Sequence, residues 1–328
     1  MRPMRYVCLL ASMLYAQEPA AWHDPSPHRV QFVTVAEGVR LEVLDWGGSG
    51  RPVVLLAGYL TGHAYDDFAP KLTDIAHVYG ITRRGLGASS KPSSGYTARE
   101  SAEDVVRVLD ALKLEKPVLA GHSFGGQDLS VLGATHPDRM AGLVYLDSAE
   151  DISLSRLRTA SDRWTGNLPE RLRNPRPDMR SFEAYREWQR KTYGLAFPEA
   201  ELRQSYASNP DGTLGRYLVS KEVRDALFAG LEAPDYARIR VPVLAFFGLP
   251  MALEDQLKRY QPQDVEQAAA MGLKYGVDLA WVARNSDALK RGVPGARIVE
   301  LVGANTYIFL SNEAEVLREM RAFVTGLD

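Results

Sequence analysis

A serine flanked by glycines is the residue best placed to do chemistry. Ser123 lies in Gly121-His-Ser-Phe-Gly-Gly126, directly after an apolar run and directly before a helix predicted over 127–136. The pattern G-x-S-x-G between a strand and a helix predicts a nucleophile elbow, a turn too tight for side chains at Gly121 or Gly125. The following helix would point its positive end at the serine. We therefore predict that Ser123 is a nucleophile held above a sheet.

The segments around this turn alternate between strand and helix patterns. Continuous apolar runs are typical of strands that are buried on both faces of a parallel sheet. Thr97 and Glu100 have capping-box spacing and begin an amphipathic helix, and Asn312 and Glu315 do the same for a closing helix. The alternation predicts an α/β fold with a mostly parallel, doubly wound sheet. The predicted strands are 30–35, 41–46, 52–58, 77–82, 116–121, 141–146, 241–248 and 296–302.

Residues 150–235 interrupt the strand pattern with charged and aromatic residues at helical spacing. They predict a helical cap inserted between two neighbouring strands, which divides the core into 28–149 and 236–328. Trp164 and Trp188 of this cap are candidates for substrate contact, with packing inside the cap as the alternative. An aromatic-rich cap favours an apolar or aromatic small-molecule substrate.

Residues 1–27 are predicted to lie outside the fold. Met1-Arg-Pro-Met-Arg5 is basic, residues 6–16 are apolar apart from one serine, and a polar, Pro-rich stretch follows. This order is typical of a secretory signal peptide with cleavage near Ala16, followed by a tether. It predicts a secreted or periplasmic protein, or a cytoplasmic one if the leader is not cleaved. Cys8, the only cysteine, would leave with the leader.

Composition argues against several classes of protein. Lys and Arg total 39 against 41 Asp and Glu, a net charge of -2, so no whole-chain positive field would attract a nucleic acid. One cysteine cannot form an internal disulfide or a Cys-rich metal site. No apolar run reaches the roughly 18–20 residues that span a bilayer. The sequence has no metal or nucleotide motif, so we expect neither a metal nor an organic cofactor, and it leaves the oligomeric state open.

These motifs together resemble the α/β-hydrolase superfamily, and within it the cap-bearing bacterial serine hydrolases with esterase-like activity. The resemblance covers roughly residues 30–326 and implies attack by Ser123 on a carboxylic ester, an acyl-enzyme and its hydrolysis by water. The segments that carry it besides the elbow are Leu55-Leu-Ala-Gly-Tyr59, Thr82-Arg-Arg-Gly-Leu-Gly-Ala-Ser-Ser-Lys-Pro92, Leu143-Val-Tyr-Leu-Asp147 and Gly303-Ala-Asn-Thr-Tyr-Ile-Phe-Leu310.

The resemblance also implies an oxyanion hole after the third strand. Members often carry His-Gly there, and the matching pair in this chain is Ala57-Gly58. The expected donors are therefore the backbone N–H groups of Tyr59 and Phe124, which do not depend on the side chain at position 57. Gly58 and His63 belong to the same loop and are expected to border the substrate.

The acid of the site has more than one candidate. Many members carry it after the strand that corresponds to 241–247, but residues 248–253 contain no carboxylate, and Glu254 and Asp255 follow late. Some members use the end of the preceding strand instead, where this chain has Asp147. We favour Asp147 as the acid. Glu254 or Asp255 is the alternative, and a structural turn cap is the alternative role for Asp147.

The general base is missing from the position where the resemblance implies one. Members carry a histidine in the loop after the last strand, whereas this chain has Thr306 and no histidine after His136. A threonine hydroxyl does not titrate near neutral pH and cannot replace an imidazole. His122 should face away from Ser123, because neighbouring side chains of an extended segment point to opposite faces. His63 is a better candidate for substrate contact than for the base.

Three explanations of Thr306 stay open, namely a variant whose catalytic histidine was removed, a natural pseudoenzyme, and an unorthodox base. The intact elbow and oxyanion loop favour the first. The sequence therefore predicts a serine hydrolase of carboxylic esters whose turnover is strongly reduced, because Thr306 replaces the general base. The alternatives are a small-molecule binder on the same scaffold, and a C–C hydrolase, lactonase or perhydrolase.

Overall fold

A mostly parallel sheet forms the centre of the molecule. The computed structural model describes residues 22–154, 168 and 176–327, and the structural statements below refer to these residues. The strands are β1 (Arg29–Ala36), β2 (Val39–Gly47), β3 (Pro52–Leu56), β4 (His77–Ile81), β5 (Val118–His122), β6 (Gly142–Leu146), β7 (Tyr206–Ser208), β8 (Leu214–Tyr217), β9 (Val243–Leu249) and β10 (Arg297–Val302).

Eight of these strands pair in the order β1-β2-β4-β3-β5-β6-β9-β10. β2 pairs antiparallel with β1 and β4, and every other pair in this sheet is parallel. The predicted doubly wound α/β fold is therefore confirmed. The carboxyl ends of β3, β5 and β6 meet at one edge of the sheet, where the loops that follow them can form a site.

Both faces of the sheet are covered, which explains why the central strands are apolar throughout. One apolar layer contains α1 (Ala98–Ala111), α2 (Phe124–Thr135) and the end of the helix Val265–Gly292. The other contains the turns after β3 and the helices Ile308–Ser311 and Glu313–Thr325. A strand between two such layers has no solvent face, so polar alternation is absent.

The two predicted capping boxes form only in part. The Thr97 hydroxyl accepts the Glu100 N–H at 3.1 Å, as predicted. The Glu100 carboxylate instead accepts hydrogen bonds from Arg84 and Arg107. Asn312 begins the closing helix without a side-chain cap, because its amide oxygen accepts the Ser311 hydroxyl. Local spacing located both helix starts, but charged or polar neighbours changed the contacts.

The insertion between β6 and β9 contains more than helices. Its helices are Phe182–Tyr193, Glu199–Ser205 and Lys221–Ala229, and β7 and β8 form an antiparallel hairpin among them. The hairpin departs from the purely helical prediction. Asn209-Pro-Asp-Gly212 supplies its turn, with Gly212 at φ 84°. Trp164 lies outside the described residues.

A second helical segment lies between β9 and β10, where the sequence analysis predicted no element. It consists of the helix Leu253–Tyr260 and the 28-residue helix Val265–Gly292. The Asp264 side chain accepts the Gln267 N–H at 2.8 Å and caps the longer helix. This Asp-x-x-Gln spacing was a signal that sequence reasoning missed. Among the described helices, none has the length and hydropathy needed to cross a membrane.

The segment 22–28 is packed on the core, which differs from the predicted tether. Ser26 Oγ donates to Asp66 Oδ1 at 2.9 Å and accepts from Trp46 Nε1 at 3.2 Å. His28 Nδ1 lies 2.9 Å from the same Asp66 oxygen. The polar composition that suggested a free linker is explained by these buried polar partners. The predicted leader, residues 1–16, lies outside the described residues.

Candidate active site

Ser123 occupies a strained turn between β5 and α2. Its backbone has φ 53° and ψ -122°, and its side chain has no helix-capping hydrogen bond. Such a conformation costs about 1–3 kcal/mol for a residue with a Cβ, and it persists only where the surroundings enforce it. The residue is half-buried. The serine is therefore held in an unfavourable conformation at the carboxyl end of a central strand.

The glycines of the elbow are required by space, as the sequence predicted. A Cβ at Gly121 would lie 2.5 Å from the carbonyl oxygen of Gly125. A Cβ at Gly125 would lie 2.4 Å from the carbonyl oxygen of Leu56. Both contacts are with backbone atoms, which cannot move aside cheaply. The prediction that side chains would collide at these two positions is confirmed.

The loop after β3 lies directly on the elbow. Gly58 has φ 70°, and a Cβ there would approach His122 O at 2.4 Å, Phe124 N at 2.9 Å and Ser123 Cβ at 3.0 Å. Gly58 is thus needed for close backbone approach. Phe124 is the first residue of α2, so its N–H has no intrahelical acceptor. The geometry brings the loop that carries the Tyr59 N–H against the turn that carries the Phe124 N–H.

A buried carboxyl from the cap binds this loop. The N–H of Thr61 donates to Glu201 Oε2 at 3.0 Å, and the Thr61 hydroxyl donates to the same oxygen. Ser205 Oγ donates to Glu201 Oε1 at 2.8 Å. Burial raises the pKa of Glu201 to about 7, although the hydrogen bonds from Thr61 and Ser205 oppose this shift. The helix Glu199–Ser205 is therefore attached to the loop through one carboxyl group.

Asp147 follows β6 and is attached to the elbow through its neighbour. Its backbone has φ 51°, and its Oδ1 accepts the Gly248 N–H from β9 at 2.7 Å. Ser148 Oγ donates to the Gly121 carbonyl at 2.7 Å. Asp147 and Thr306 line one cavity of about 170 Å³. The structure thus brings the favoured acid and the position of the missing base together.

The alternative acids lie elsewhere. Glu254 and Asp255 are exposed in the first turn of the helix Leu253–Tyr260. Glu254 Oε1 accepts from Lys258 Nζ at 2.7 Å. Neither residue lines the cavity that contains Asp147. Their position at a helix N-terminus has a structural explanation, since carboxylates there favour the helix dipole.

His122 is buried among aromatic rings. Its ring centroid lies 5.1 Å from that of Tyr307 and 5.5 Å from that of Phe309. Burial lowers the pKa of His122 to about 4, and the backbone of Thr306 opposes this shift. An imidazole with so low a pKa is a weak general base near neutral pH.

His63 is enclosed by carboxylates, which differs from the expectation that it borders the substrate. Its Nδ1 lies 3.1 Å from Asp66 and 3.2 Å from Asp24, and its Nε2 lies 3.5 Å from Glu42. Burial alone would lower the pKa of His63, but its hydrogen bonds with Asp66 and Glu42 raise it to about 10. Both ring nitrogens of His63 face carboxylates, so neither is directed at the serine.

Aromatic rings gather beside the two expected oxyanion donors. Phe124 contacts Tyr59 and Phe228 edge to face, with centroids 5.9 and 5.1 Å apart. Tyr59 also lies 6.2 Å from Tyr217. Phe228, on the cap helix Lys221–Ala229, remains 52% exposed. These four residues form an apolar face. Sequence reasoning missed it because Phe228 lies 105 positions after Ser123 in the sequence and is brought to the elbow only by the fold.

Trp188 packs within the cap. Its ring lies 5.3 Å from those of Tyr185 and Tyr193. Tyr193, which it contacts, lines a cavity of about 280 Å³ with Met251 and Asn305. Of the two readings of Trp188, its contacts therefore correspond to internal packing, and the aromatic face near the elbow comes from other residues.

Comparisons with known proteins agree with this architecture. A family model described as the alpha/beta hydrolase fold matches residues 51–256, more than half of the chain. A putative carbamate hydrolase from Caulobacter segnis is 38% identical over 116 residues, 34% of this chain and 43% of that protein. A putative non-heme haloperoxidase from Mycobacterium phage D29 is 30% identical over 121 residues, 36% of this chain and 43% of that protein. The chain spans less than half the length of these curated relatives.

Solved structures are similar over nearly the whole chain. E-2-(acetamidomethylene)succinate hydrolase superposes with a TM-score of 0.65 at 19% identity, covering 91% of this chain and 100% of that one. Est816, described as degrading N-acyl homoserine lactones, superposes with a TM-score of 0.56 at 22% identity, covering 89% of this chain and 100% of that one. At such identities the likeness concerns the fold.

Proposed function

Because the chain belongs to the α/β-hydrolase family, we propose that it is a serine hydrolase of carboxylic esters that works through an acyl-enzyme on Ser123. We further propose that its turnover is crippled because Thr306 occupies the position of the general base. The single observation that carries the proposal is the strained conformation of Ser123 beneath the Gly58 loop. An ordinary strand-to-helix turn needs neither feature.

The proposed chemistry begins with attack of Ser123 Oγ on the ester carbonyl carbon. As the new C–O bond forms, the hydroxyl proton passes to a water molecule and the carbonyl oxygen becomes an oxyanion. Water later returns a proton to the departing alkoxide. The N–H groups of Tyr59 and Phe124 would donate to that oxyanion, and loss of one such donor typically costs about 2.7–4 kcal/mol of transition-state stabilisation. Collapse of the intermediate releases the alcohol, and water then attacks the acyl-enzyme to release the acid.

The weak step of this scheme is removal of the serine proton. Asp147 and Thr306 line one cavity, so an imidazole at position 306 would stand beside the Asp147 carboxylate. Thr306 supplies no imidazole, and the two buried histidines described above are unsuited to replace it. In a well-studied serine protease, losing one triad member costs about 10⁴–10⁶ in turnover, with roughly 10³–10⁴ over water remaining. We expect comparable residual activity from this chain.

The substrate class is proposed from the aromatic face. Phe228 is half-exposed beside Tyr59 and Phe124, so an apolar or aromatic group of the ester can pack there next to the expected oxyanion donors. Ser123 disfavours epoxide hydrolysis, in which family members use a carboxylate nucleophile, although an epoxide hydrolase from Mycobacterium tuberculosis matches part of the chain. Lactone, C–C bond and perhydrolase chemistry share the same constellation and are alternatives to the ester.

Restoring the imidazole tests the proposal. Thr306→His should raise hydrolysis of a short p-nitrophenyl ester by at least about 10³-fold, because a base of suitable pKa would stand beside Asp147. The measurement is kcat/KM by absorbance at neutral pH. Thr325→His, the same change at an exposed position of the closing helix, is the matched control and should leave the rate unchanged.

Two further experiments assign the gain to the serine. Ser123→Ala in the Thr306→His background should return the rate to background. Intact-mass analysis of the parent chain after reaction with the ester should find one acyl group. Without a base to activate water, hydrolysis of the acyl-enzyme is slow, so the acyl-enzyme accumulates. An unchanged rate in a folded Thr306→His protein contradicts the assignment of position 306.

A second candidate is a small-molecule binder built on the hydrolase scaffold, and Thr306 is the observation that favours it. This candidate predicts that Thr306→His gains no turnover. It also predicts that calorimetric affinity for the products of ester hydrolysis, an apolar carboxylic acid or alcohol, survives Ser123→Ala. A gain in turnover that requires Ser123 decides in favour of the enzyme.

A further inference from the structure

Two imidazoles and two carboxylates converge at a place that includes neither Ser123 nor Asp147. Asp24, His28, His63 and Asp66, here the carboxylate–imidazole cluster, each offer one ligand atom, and these atoms lie within 4.8 Å of one another. Asp24 Oδ2 and Asp66 Oδ2 lie 3.2 and 3.1 Å from the same nitrogen, His63 Nδ1. That nitrogen carries at most one proton, so two oxygens converge on one donor.

The second imidazole has a similar arrangement. His28 Nδ1 lies 2.9 Å from Asp66 Oδ1, and His28 Nε2 lies 3.6 Å from Asp24 Oδ2. The rings of His28 and His63 are 5.0 Å apart at 72°. One divalent ion among the four ligand atoms would neutralise both carboxylates of the cluster.

Three of the four side chains of the cluster are almost fully buried. The side chains of His28, Asp66 and His63 are only 3–5% exposed, whereas Asp24 is 23% exposed. Within the described parts of the chain, no Lys or Arg pairs with Asp24, Asp66 or the nearby Glu42. Buried carboxylates without a fixed cation are costly, so the cluster favours a positive ion.

The surrounding residues orient the candidate ligands. Glu42 Oε1 lies 3.5 Å from His63 Nε2, the ring nitrogen that faces away from Asp24 and Asp66. Thr82 Oγ1 donates to Glu42 Oε2 at 2.7 Å, and Ser26 Oγ donates to Asp66 Oδ1. A carboxylate on the far nitrogen of a ligating histidine is the usual second layer of a metal site, because it fixes the tautomer and the ring orientation.

We propose that Asp24, His28, His63 and Asp66 bind one divalent transition-metal ion, for which zinc is the best fit. Two nitrogen and two oxygen donors match the ligands and the four-coordinate geometry that zinc prefers. Asp24 and His28 belong to the segment 22–28, while His63 and Asp66 belong to the turn after the Gly58 loop. Four protein ligands leave no open position, so the ion is structural and ties the segment to the core.

The experiment measures metal uptake by the full chain. Bound metal is first removed from the protein with a chelator, and the protein is dialysed and titrated with zinc alone. The zinc bound per chain is then measured by inductively coupled plasma mass spectrometry. The expected result is one zinc per chain together with a rise in Tm, since an ion that binds only the folded state stabilises it. Cobalt(II) in place of zinc should give the visible absorption of a four-coordinate ion.

Variants of the cluster should lose the ion. Asp66→Asn and His28→Gln are each expected to weaken zinc binding by 10–100-fold or more, the loss typical of changes even in the outer shell of such sites. His28→Gln is included because His28 lies in the segment 22–28 and not in the core. This variant is expected to fold even if Asp66→Asn does not. Circular dichroism verifies the fold of each variant.

The matched control is His77→Gln. His77 Nε2 also faces a carboxylate, Asp45 Oδ1 at 2.8 Å, but no second imidazole lies beside it. This variant should bind zinc like the parent chain. The proposal is overturned if stripped parent protein takes up no zinc, or if His28→Gln binds as much zinc as the parent. In either case the cluster is a network of ion pairs.

Discussion

The two residues that carry the proposed chemistry share an unusual backbone conformation. Ser123 and Asp147 both have φ near 50°, a region that residues with a Cβ seldom occupy. Each follows the end of a neighbouring parallel strand, and Ser148 bonds one turn to the other. Strain at two adjacent strand ends is expected where a site demands fixed side-chain positions.

At the residue scale, the identity of the acid can be tested directly. In the Thr306→His background, Asp147→Asn should lower kcat by about 10²–10⁴, because the imidazole loses the carboxylate that fixes its tautomer. Glu254→Gln is the control and should stay within about twofold, since its carboxylate pairs with Lys258 in solvent. The measurement is steady-state ester hydrolysis. A large loss in Glu254→Gln would instead identify Glu254, which follows β9, as the acid.

The residues that sequence reasoning found are those whose type is required by local backbone geometry. The glycines around Ser123 indicate a tight turn. The absence of a histidine at position 306 is recognisable because related proteins carry one in the loop after the last strand. The surroundings of His63 were not foreseeable, because its partners lie 21–39 positions before it and 3 after it with no local signal. His63 therefore changes from a candidate substrate contact to a candidate metal ligand.

At the scale of elements, the sheet was predictable and the connections were not. Each predicted strand overlaps an observed one. For the central strands the reason is that a strand covered on both faces must be apolar along its length. The hairpin Tyr206–Ser208 and Leu214–Tyr217 is half-exposed and short, so its sequence carries little periodicity. The helix Val265–Gly292 has apolar residues around much of its surface, which blurs the helical stripe.

Two glycines in helices should respond oppositely to alanine. Gly125→Ala is expected to lower the free energy of unfolding by roughly 1–3 kcal/mol or more, because its Cβ meets the Leu56 carbonyl. Gly276→Ala, exposed in the helix Val265–Gly292 with open space around it, should raise that free energy by about 1 kcal/mol.

Urea denaturation of both glycine variants and the parent chain measures these changes. Equal effects of the two substitutions would show that the elbow tolerates a side chain after all. The proposed crowding of the turn would then lose its physical basis.

At the scale of the whole molecule, the cap and the core are joined by polar contacts that no local sequence pattern predicts. Glu201 lies 140 residues after Thr61 and reads in the sequence as an ordinary helical glutamate. In the fold it is 1% exposed and binds the loop that leads from the Gly58 turn. Such long-range burial of a carboxyl is decided by tertiary packing, which is why the sequence analysis did not identify it.

The pKa of Glu201 predicts a pH-dependent stability. Its folded-state value of about 7 lies above the ordinary value of 4.5, so the folded protein binds the extra proton between these limits. Its stabilising contribution is therefore complete below about pH 4.5 and is lost as the pH rises towards 7. The total is roughly 3 kcal/mol of the free energy of unfolding.

Glu201→Gln should remove this pH dependence, so that the variant gains stability relative to the parent between pH 5 and 7. Calorimetric Tm across that range is the measurement. Glu199→Gln is the matched control, because Glu199 lies on the same helix and pairs with Arg203 near the surface. Parallel curves for Glu201→Gln and the parent would contradict the assignment.

The contacts of Trp22 and Leu327 have a practical consequence. Trp22 lies against Arg203 of the cap, with the guanidinium 4.7 Å from the ring centroid. Leu327 lies at the opposite edge of the sheet, where its carbonyl accepts from Arg51 just before β3. An affinity tag or a surface linker fused after residue 327 would therefore keep its distance from the serine.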